Sequence, residues 1–223
     1  MHRLNKLMEK ITRKLLIFDL DGTLVDSRRD LANAVNFTRN QFSLPPLSIP
    51  LIASYIGNGV NNLLYKTIPD ISKEQMETAR SYFKDHYAAH VIDETTLYPG
   101  VKETLEYFKD KKLAIVSNKP VDYLPRILDA LEIKKYFQII YGENSYPEKK
   151  PHPGPLLAIM HDLDCLPEES CMIGDWITDV EAGKKAGITT IGCLYGIGEI
   201  IQLKKTEPDY LIETFSQLKD IIE

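Results

Sequence analysis

The chain is short of the residues that announce several common classes of protein. It has three cysteines in 223 residues, Cys165, Cys171 and Cys193, and no CxxC pair. That odd, sparse count argues against a disulfide framework or a zinc site, and Cys171 and Cys193 sit in apolar runs that suit small core residues. There is no excess of positive charge: net charge is −5, without a clustered Lys/Arg stripe. A nucleic-acid partner is therefore not expected. No apolar run approaches the ~20 residues of a membrane-spanning helix. The start, MHRLNKLMEKITRK, lacks the apolar stretch of a secretion signal. The expectation is a cytoplasmic protein without membrane or nucleic-acid partners. Repeats and low-complexity tracts are absent as well.

What is present is 43% hydrophobic residues, enough for a sizeable core. Short runs rich in Ile, Val, Leu and Phe read as buried strands: LLIF (15–18), LAIVS (113–117), FQIIYG (137–142), SCMIG (170–174) and ITTIGCL (188–194). Helical patterns separate them, with Val101, Leu105 and Phe108 on one face and Leu124, Ile127, Leu128 and Leu131 on another. Asp122–Leu131, Pro155–His161 and Thr178–Ala186 serve as crossovers, and PDYLIETFSQLKDII adds an edge strand and a helix. Alternation of this kind predicts an α/β fold with a parallel sheet covered on both faces.

One interval breaks the rhythm. Between Ser27 and the strand at Leu113 lies far more chain than the ~10–12 residues a crossover needs. It reads as helices: Leu31, Val35, Thr38 and Phe42 mark one, and Met76, Ala79, Phe83 and Tyr87 another. Ser72 and Gln75 suit a capping box. The expected layout is a catalytic core of residues 1–26 and 98–223, with a helical insertion at 27–97.

In an open parallel sheet, ligands bind beyond the carboxyl ends of the strands. After LLIF come Asp19, Asp21 and Thr23. Ser117, Asn118 and Lys119 follow LAIV, and Lys149 and Lys150 stand close to the end of FQIIYG. Asp175, Thr178 and Asp179 follow SCMIG. Two carboxylates one residue apart repel each other, and burial raises the cost. A divalent metal and a lysine would offset it. Mg²⁺ takes one or two carboxylates, waters and a substrate phosphate, and Asp19, the Asp21 carbonyl and Asp175 suit that shell. Ser117 and Lys150 suit the remaining phosphate oxygens. A carboxylate at the first position can attack phosphorus, and one at the second can protonate the leaving oxygen and then deprotonate water.

Four segments in order, FDLDGTLVDS, VSNKP, KKPHPGPL and GDWITD, resemble the four motifs of the haloacid dehalogenase superfamily. The resemblance runs from about Leu15 to the C-terminus. It implies a Rossmann-like core with a mobile helical cap, Asp19 as nucleophile and metal ligand, and Asp21 as general acid/base with its carbonyl on the metal. It further implies Ser117 and Asn118 at the phosphate, Lys150 neutralising nucleophile and phosphate, and Asp175 as metal ligand with Asp179 supporting the shell. Dehalogenating members lack an acid at the position of Asp21, so the pattern points to a phosphatase. YIGNGVNNLL (55–64) and KKPHPGPL look most like phosphoglycolate phosphatases. The substrate-contacting set is expected to include Thr23, Asn118, Gly57, Asn58 and Gly59, and the partner to be a small phosphorylated metabolite, met by a monomer or homodimer. Phosphatases for pyrophosphate or sugar phosphates, and phosphomutases, share much of this scaffold.

Two departures stand out. Trp176 occupies a place after GD where relatives carry a small hydroxyl residue, and either crowds the crevice or stacks beneath the cap. Arg28 and Arg29 are either ligands for a substrate carboxylate or solvated charges. His152, between two prolines, suits loop ordering better than catalysis. An EF-hand is excluded because Gly22 comes too early. A phosphoryl-accepting signalling receiver would carry its acceptor after a later strand and would have no inserted cap.

Overall fold

The computed structural model of the chain describes residues 10–57 and 59–223. The first nine residues and Asn58, one of the expected substrate contacts, lie outside the described residues. In chain order the strands are β1 (Leu15–Phe18), β2 (Val25–Asp26), β3 (Thr96–Leu97), β4 (Lys112–Val116), β5 (Ile139–Tyr141), β6 (Ser170–Gly174), β7 (Thr189–Cys193) and β8 (Tyr210–Ile212). Six of them form a parallel sheet in the order β5-β4-β1-β6-β7-β8. β1 sits in the middle, with Phe18 opposite Ile115 of β4 and Ile173 of β6.

The apolar run of β1 is continuous because both faces of the sheet are covered. Leu16 and Phe18 face one side, with Val101, Leu105, Ile115 and Ile127. Leu15 and Ile17 face the other, with Leu156, Ile159 and Met172. The helices that cover the sheet are α5 (Val101–Tyr107), α6 (Leu124–Ala130), α7 (Gly154–Asp162), α8 (Ile177–Lys185), α9 (Ile200–Lys205) and α10 (Leu218–Ile221). None of the described helices is long and apolar enough to cross a membrane.

The insertion consists of α1 (Arg28–Gln41), α2 (Ile49–Ala53), α3 (Val60–Thr67) and α4 (Lys73–Ala89). α4 begins at Ser72, whose hydroxyl accepts from Gln75 N while the Gln75 side chain accepts from Ser72 N. The reciprocal bonds satisfy two helix-end donors, as the sequence pattern predicts. Its buried residues, Ala79, Phe83 and Tyr87, join the same apolar cluster as Leu31, Val35 and Phe18. Arg39 is buried and holds the insertion together by donating to the carbonyls of Pro45 and Thr67.

The chain leaves and re-enters the core through a two-stranded antiparallel ribbon, in which Val25 pairs with Leu97 and Asp26 with Thr96. Beside it, the buried Asp30 accepts from Glu94 N, Thr95 N and the Thr95 hydroxyl. Both crossing points are thus tied together at one place.

Candidate active site

The turn after β1 carries the first two acids to the carboxyl edge of the sheet. Asp19 N donates to Ile173 O, which keeps the pairing with β6 going one residue past β1. The Asp19 side chain therefore projects where strand hydrogen bonding ends. Gly22 follows at φ +90°, and a Cβ there would strike the Asp175 carboxylate. The turn can approach the end of β6 so closely because this residue has no side chain.

Asp19, Asp175 and Asp179 are all buried, and each offers an oxygen within 4.8 Å of the others. Lys150 Nζ lies 2.7 Å from Asp19 Oδ1 and donates to it. It also lies 2.7 Å from Asp179 Oδ1, an ion pair by distance although its angle does not make a hydrogen bond. The other oxygen of Asp179 accepts from Trp176 N at 2.9 Å. Asp175 is held on both sides: Oδ2 accepts from Ile197 N and Gly198 N at 2.8 Å, and Oδ1 accepts from the Thr23 hydroxyl at 3.0 Å.

Burial raises the Asp19 carboxyl well above the usual carboxylate range; Lys150 opposes this, while Asp179 and Asp175 add to it. Burial, then Asp179, push Asp175 up to about 7 against the bonds from Gly198, Ile197 and Thr23. Burial works against the Lys150 ammonium, but Asp179 and Asp19 hold its pKa above the ordinary value. Three buried acids against one buried cation leave negative charge uncompensated. That imbalance, together with an all-oxygen donor set, fits a hard divalent cation such as Mg²⁺.

Asp21 faces a different set of partners. Its Oδ1 accepts from the Ser27 hydroxyl at 2.5 Å, and Lys119 Nζ reaches both carboxylate oxygens at 2.7 and 2.9 Å. Burial works against the Lys119 charge, but Asp21 outweighs it and raises the lysine pKa. The sequence reading gave Lys119 no role. Its only signal was a position next to Ser117 and Asn118 at a strand end. Ser117 is buried at the end of β4 and its Oγ accepts from Lys119 N. Asn118 Nδ2 donates to Lys150 O at 3.1 Å, and its Oδ1 is buried with no partner among the described residues.

These groups line a cavity of about 60 Å³ beneath the insertion, with Asp19, Asp21, Ser117, Asn118, Lys119, Lys150 and Asp179 on the core side and Gly57, Gly59, Phe83 and Tyr87 opposite. Trp176 packs against Gly57, where a Cβ would coincide with the indole nitrogen, so the insertion meets the core at a residue without a side chain. Thr23, expected at the substrate, lies elsewhere: it is fully buried against Asp175 and outside the cavity lining. Arg28 pairs with Asp26 and Arg29 with Glu94, so neither points at the cavity. His152 accepts from Gly154 N and orders its loop, and Lys149 pairs with Glu143.

Residues 16–193 match the haloacid dehalogenase-like hydrolase family. The phosphoglycolate phosphatase of Aquifex aeolicus is 36% identical over 212 residues, covering 94% of this chain and 97% of that protein. The phosphoglycolate phosphatase of Pasteurella multocida is 34% identical, covering 94% and 98%. A crystal structure described as a predicted phosphoglycolate phosphatase from Haemophilus somnus superposes with a TM-score of 0.89 at 32% identity, covering 94% of this chain and 97% of that one. The chain belongs to the haloacid dehalogenase-like hydrolase family, as a phosphatase-type enzyme similar to the phosphoglycolate phosphatases.

Proposed function

We propose that this enzyme hydrolyses the phosphomonoester of a small hydroxy acid, 2-phosphoglycolate foremost, with Mg²⁺ and with the phosphoryl group carried on Asp19. The observation that carries the reading is the division of the cavity floor. Asp19 sits with Lys150, Asp175 and Asp179, while Asp21 sits apart with Ser27 and Lys119. Two acids in different surroundings suit two roles at one phosphate.

Asp19, Asp175, Asp179 and the Asp21 carbonyl would hold the metal. When bound, it would offset the charge of the carboxylates and of the phosphate oxygens. Lys150 holds one oxygen of Asp19 and leaves the other to attack phosphorus. The Ser117 hydroxyl, Asn118 and Lys150 bind the transferring phosphoryl oxygens. The bond from phosphorus to the leaving oxygen breaks, and Asp21 gives that oxygen a proton. Water then attacks phosphorus and loses a proton to Asp21. The phosphorus–Asp19 bond breaks, and its electron pair returns to the carboxylate. The insertion closes over the site and keeps bulk water out of the first step. The substrate assignment is supported by the names of the relatives and by the small volume of the cavity.

A panel of phosphomonoesters, assayed with Mg²⁺ and with EDTA on wild type and on Asp19→Asn, tests this. The expected result is metal-dependent turnover that ranks 2-phosphoglycolate first and vanishes in the variant. Near-normal turnover by Asp19→Asn would remove the nucleophile; a flat ranking would remove the substrate.

A further inference from the structure

The cavity holds polar groups that this phosphoryl transfer does not use. Tyr87 of α4 is 1% exposed and lines the cavity. Among the described residues the polar neighbour of its buried hydroxyl is the Lys119 ammonium, which can donate to it but cannot accept its proton. A buried hydroxyl whose proton has no acceptor is costly, so the position calls for one. The ring itself is firmly held, stacked on Phe83 with centroids 5.6 Å apart and meeting Tyr123 edge-on at 5.1 Å. Burial pushes the phenol up to about 12, so at neutral pH it is an uncharged donor.

Lys119 Nζ lies 5.0 Å from the centroid of the same ring. Among the described residues, Lys119 and Lys150 are the cations that line the cavity. Lys150 stands on the phosphate side, between Asp19 and Asp179. Lys119 stands on the other side, against the acid that would protonate the leaving oxygen. In the phosphomonoester of a 2-hydroxy acid, a single carbon separates that oxygen from the carboxylate. The carboxylate must therefore come to rest close to Asp21. Leu31, Ile56, Val60, Leu63 and Phe83 also line the cavity and offer an anion nothing, while Tyr123, Trp176 and Thr178 add uncharged donors to its walls.

We propose that the Tyr87 hydroxyl and the Lys119 ammonium form the site for the carboxylate of the leaving group, and so select phosphomonoesters of small 2-hydroxy acids over those of uncharged alcohols. The inference rests on the phosphatase reading above and assigns the part of the site that reads the acid. The carboxylate accepts from the tyrosine hydroxyl and shares Lys119 with Asp21. One donor comes from the insertion and the other from the core, so the acid bridges both. A substrate without the carboxylate leaves the tyrosine proton without an acceptor.

The test is Tyr87→Phe, which keeps the ring and its stacking and removes one oxygen. kcat/KM is measured for 2-phosphoglycolate and for ethyl phosphate, which has the same ester linkage and no carboxylate. Wild type is expected to prefer the acid. The variant is expected to lose about 10- to 100-fold on 2-phosphoglycolate, the loss expected when a charged group forfeits a hydrogen bond, and to keep its ethyl phosphate rate. A second readout avoids turnover. Trp176 is the single tryptophan of the chain and lines the same cavity, so its fluorescence can follow glycolate binding, which Tyr87→Phe should weaken by a similar factor. A variant with an unchanged ratio between the two esters overturns the carboxylate site and leaves the phosphatase reading standing. A wild type that hydrolyses both esters equally overturns the substrate assignment, and one that hydrolyses neither overturns the phosphatase reading itself.

Discussion

Replacing Lys150 with methionine would show how the acidic cluster is held. The lysine side chain is 2% exposed and bridges Asp19 and Asp179, whose side chains are 10% and 1% exposed, at 2.7 Å each. Methionine fills most of the volume and removes the charge, so the loss is electrostatic. Breaking a buried ion pair by removing one partner costs about 3–5 kcal/mol when the other remains ionised. Whether it does remain ionised depends on pH. Unfolded, Asp19 and the neighbouring Asp175 ionise near 3.8, while in the fold burial holds Asp19 well above that value and Asp175 at about 7. A carboxyl raised in this way contributes stability below its unfolded pKa, and that stability is lost as pH rises through the folded value. Lys150 opposes the upward shift of Asp19, so losing it raises that carboxyl further. The cost should therefore be smaller at pH 5, below the folded value of Asp175, and approach about 3–5 kcal/mol at pH 8. Urea titrations of wild type and Lys150→Met in EDTA at both pH values measure it. Mg²⁺ should recover part of the loss at pH 8 and little at pH 5. An equal loss at the two pH values would refute the reasoning, because it would mean that the lysine acts through packing alone.

The remaining expectations are narrower. Asp21→Asn should slow turnover by about 10²–10⁴-fold, the usual range for a lost general acid–base, measured as steady-state kcat on 2-phosphoglycolate. An unchanged rate would remove its role. Ser72→Ala should cost about 1 kcal/mol of stability by opening the capping box of α4, read from the urea midpoint, with kcat unchanged because Ser72 is exposed and outside the cavity lining.

How far the sequence could be read depended on the range of the interactions. β1 was legible because a strand buried on both faces needs an unbroken apolar run, and Leu15–Phe18 is one. α4 was legible because Ser72, Gln75 and the stripe through Phe83 are local signals. The ribbon was not: Val25–Asp26 and Thr96–Leu97 are too short to show a period, and their pairing spans the whole insertion. Tyr87 read as one more apolar position on α4, and its ring is indeed core. Helical spacing gives the face on which a residue lies, but not where its hydroxyl ends. Lys119 bonds to Asp21 across 98 positions, a match only the sheet order creates. Thr23 follows an acid-bearing strand, as a phosphate-binding hydroxyl would, yet the turn at Gly22 swings it toward Asp175 instead. The two arginines at the start of α1 found acids of their own, Asp26 and Glu94.

The position of β1 also bears on how the protein is made. This strand lies at the centre of the sheet, yet it leaves the ribosome before either of its neighbours, residues 112–116 and 170–174. The insertion that follows, by contrast, packs α1 against α2 and α4 within one continuous stretch of chain. It can take shape while β1 still waits, apolar and unpaired. A nascent chain stalled before Ser170 would therefore present a formed helical unit beside an open sheet edge, the state in which chaperones have most to protect.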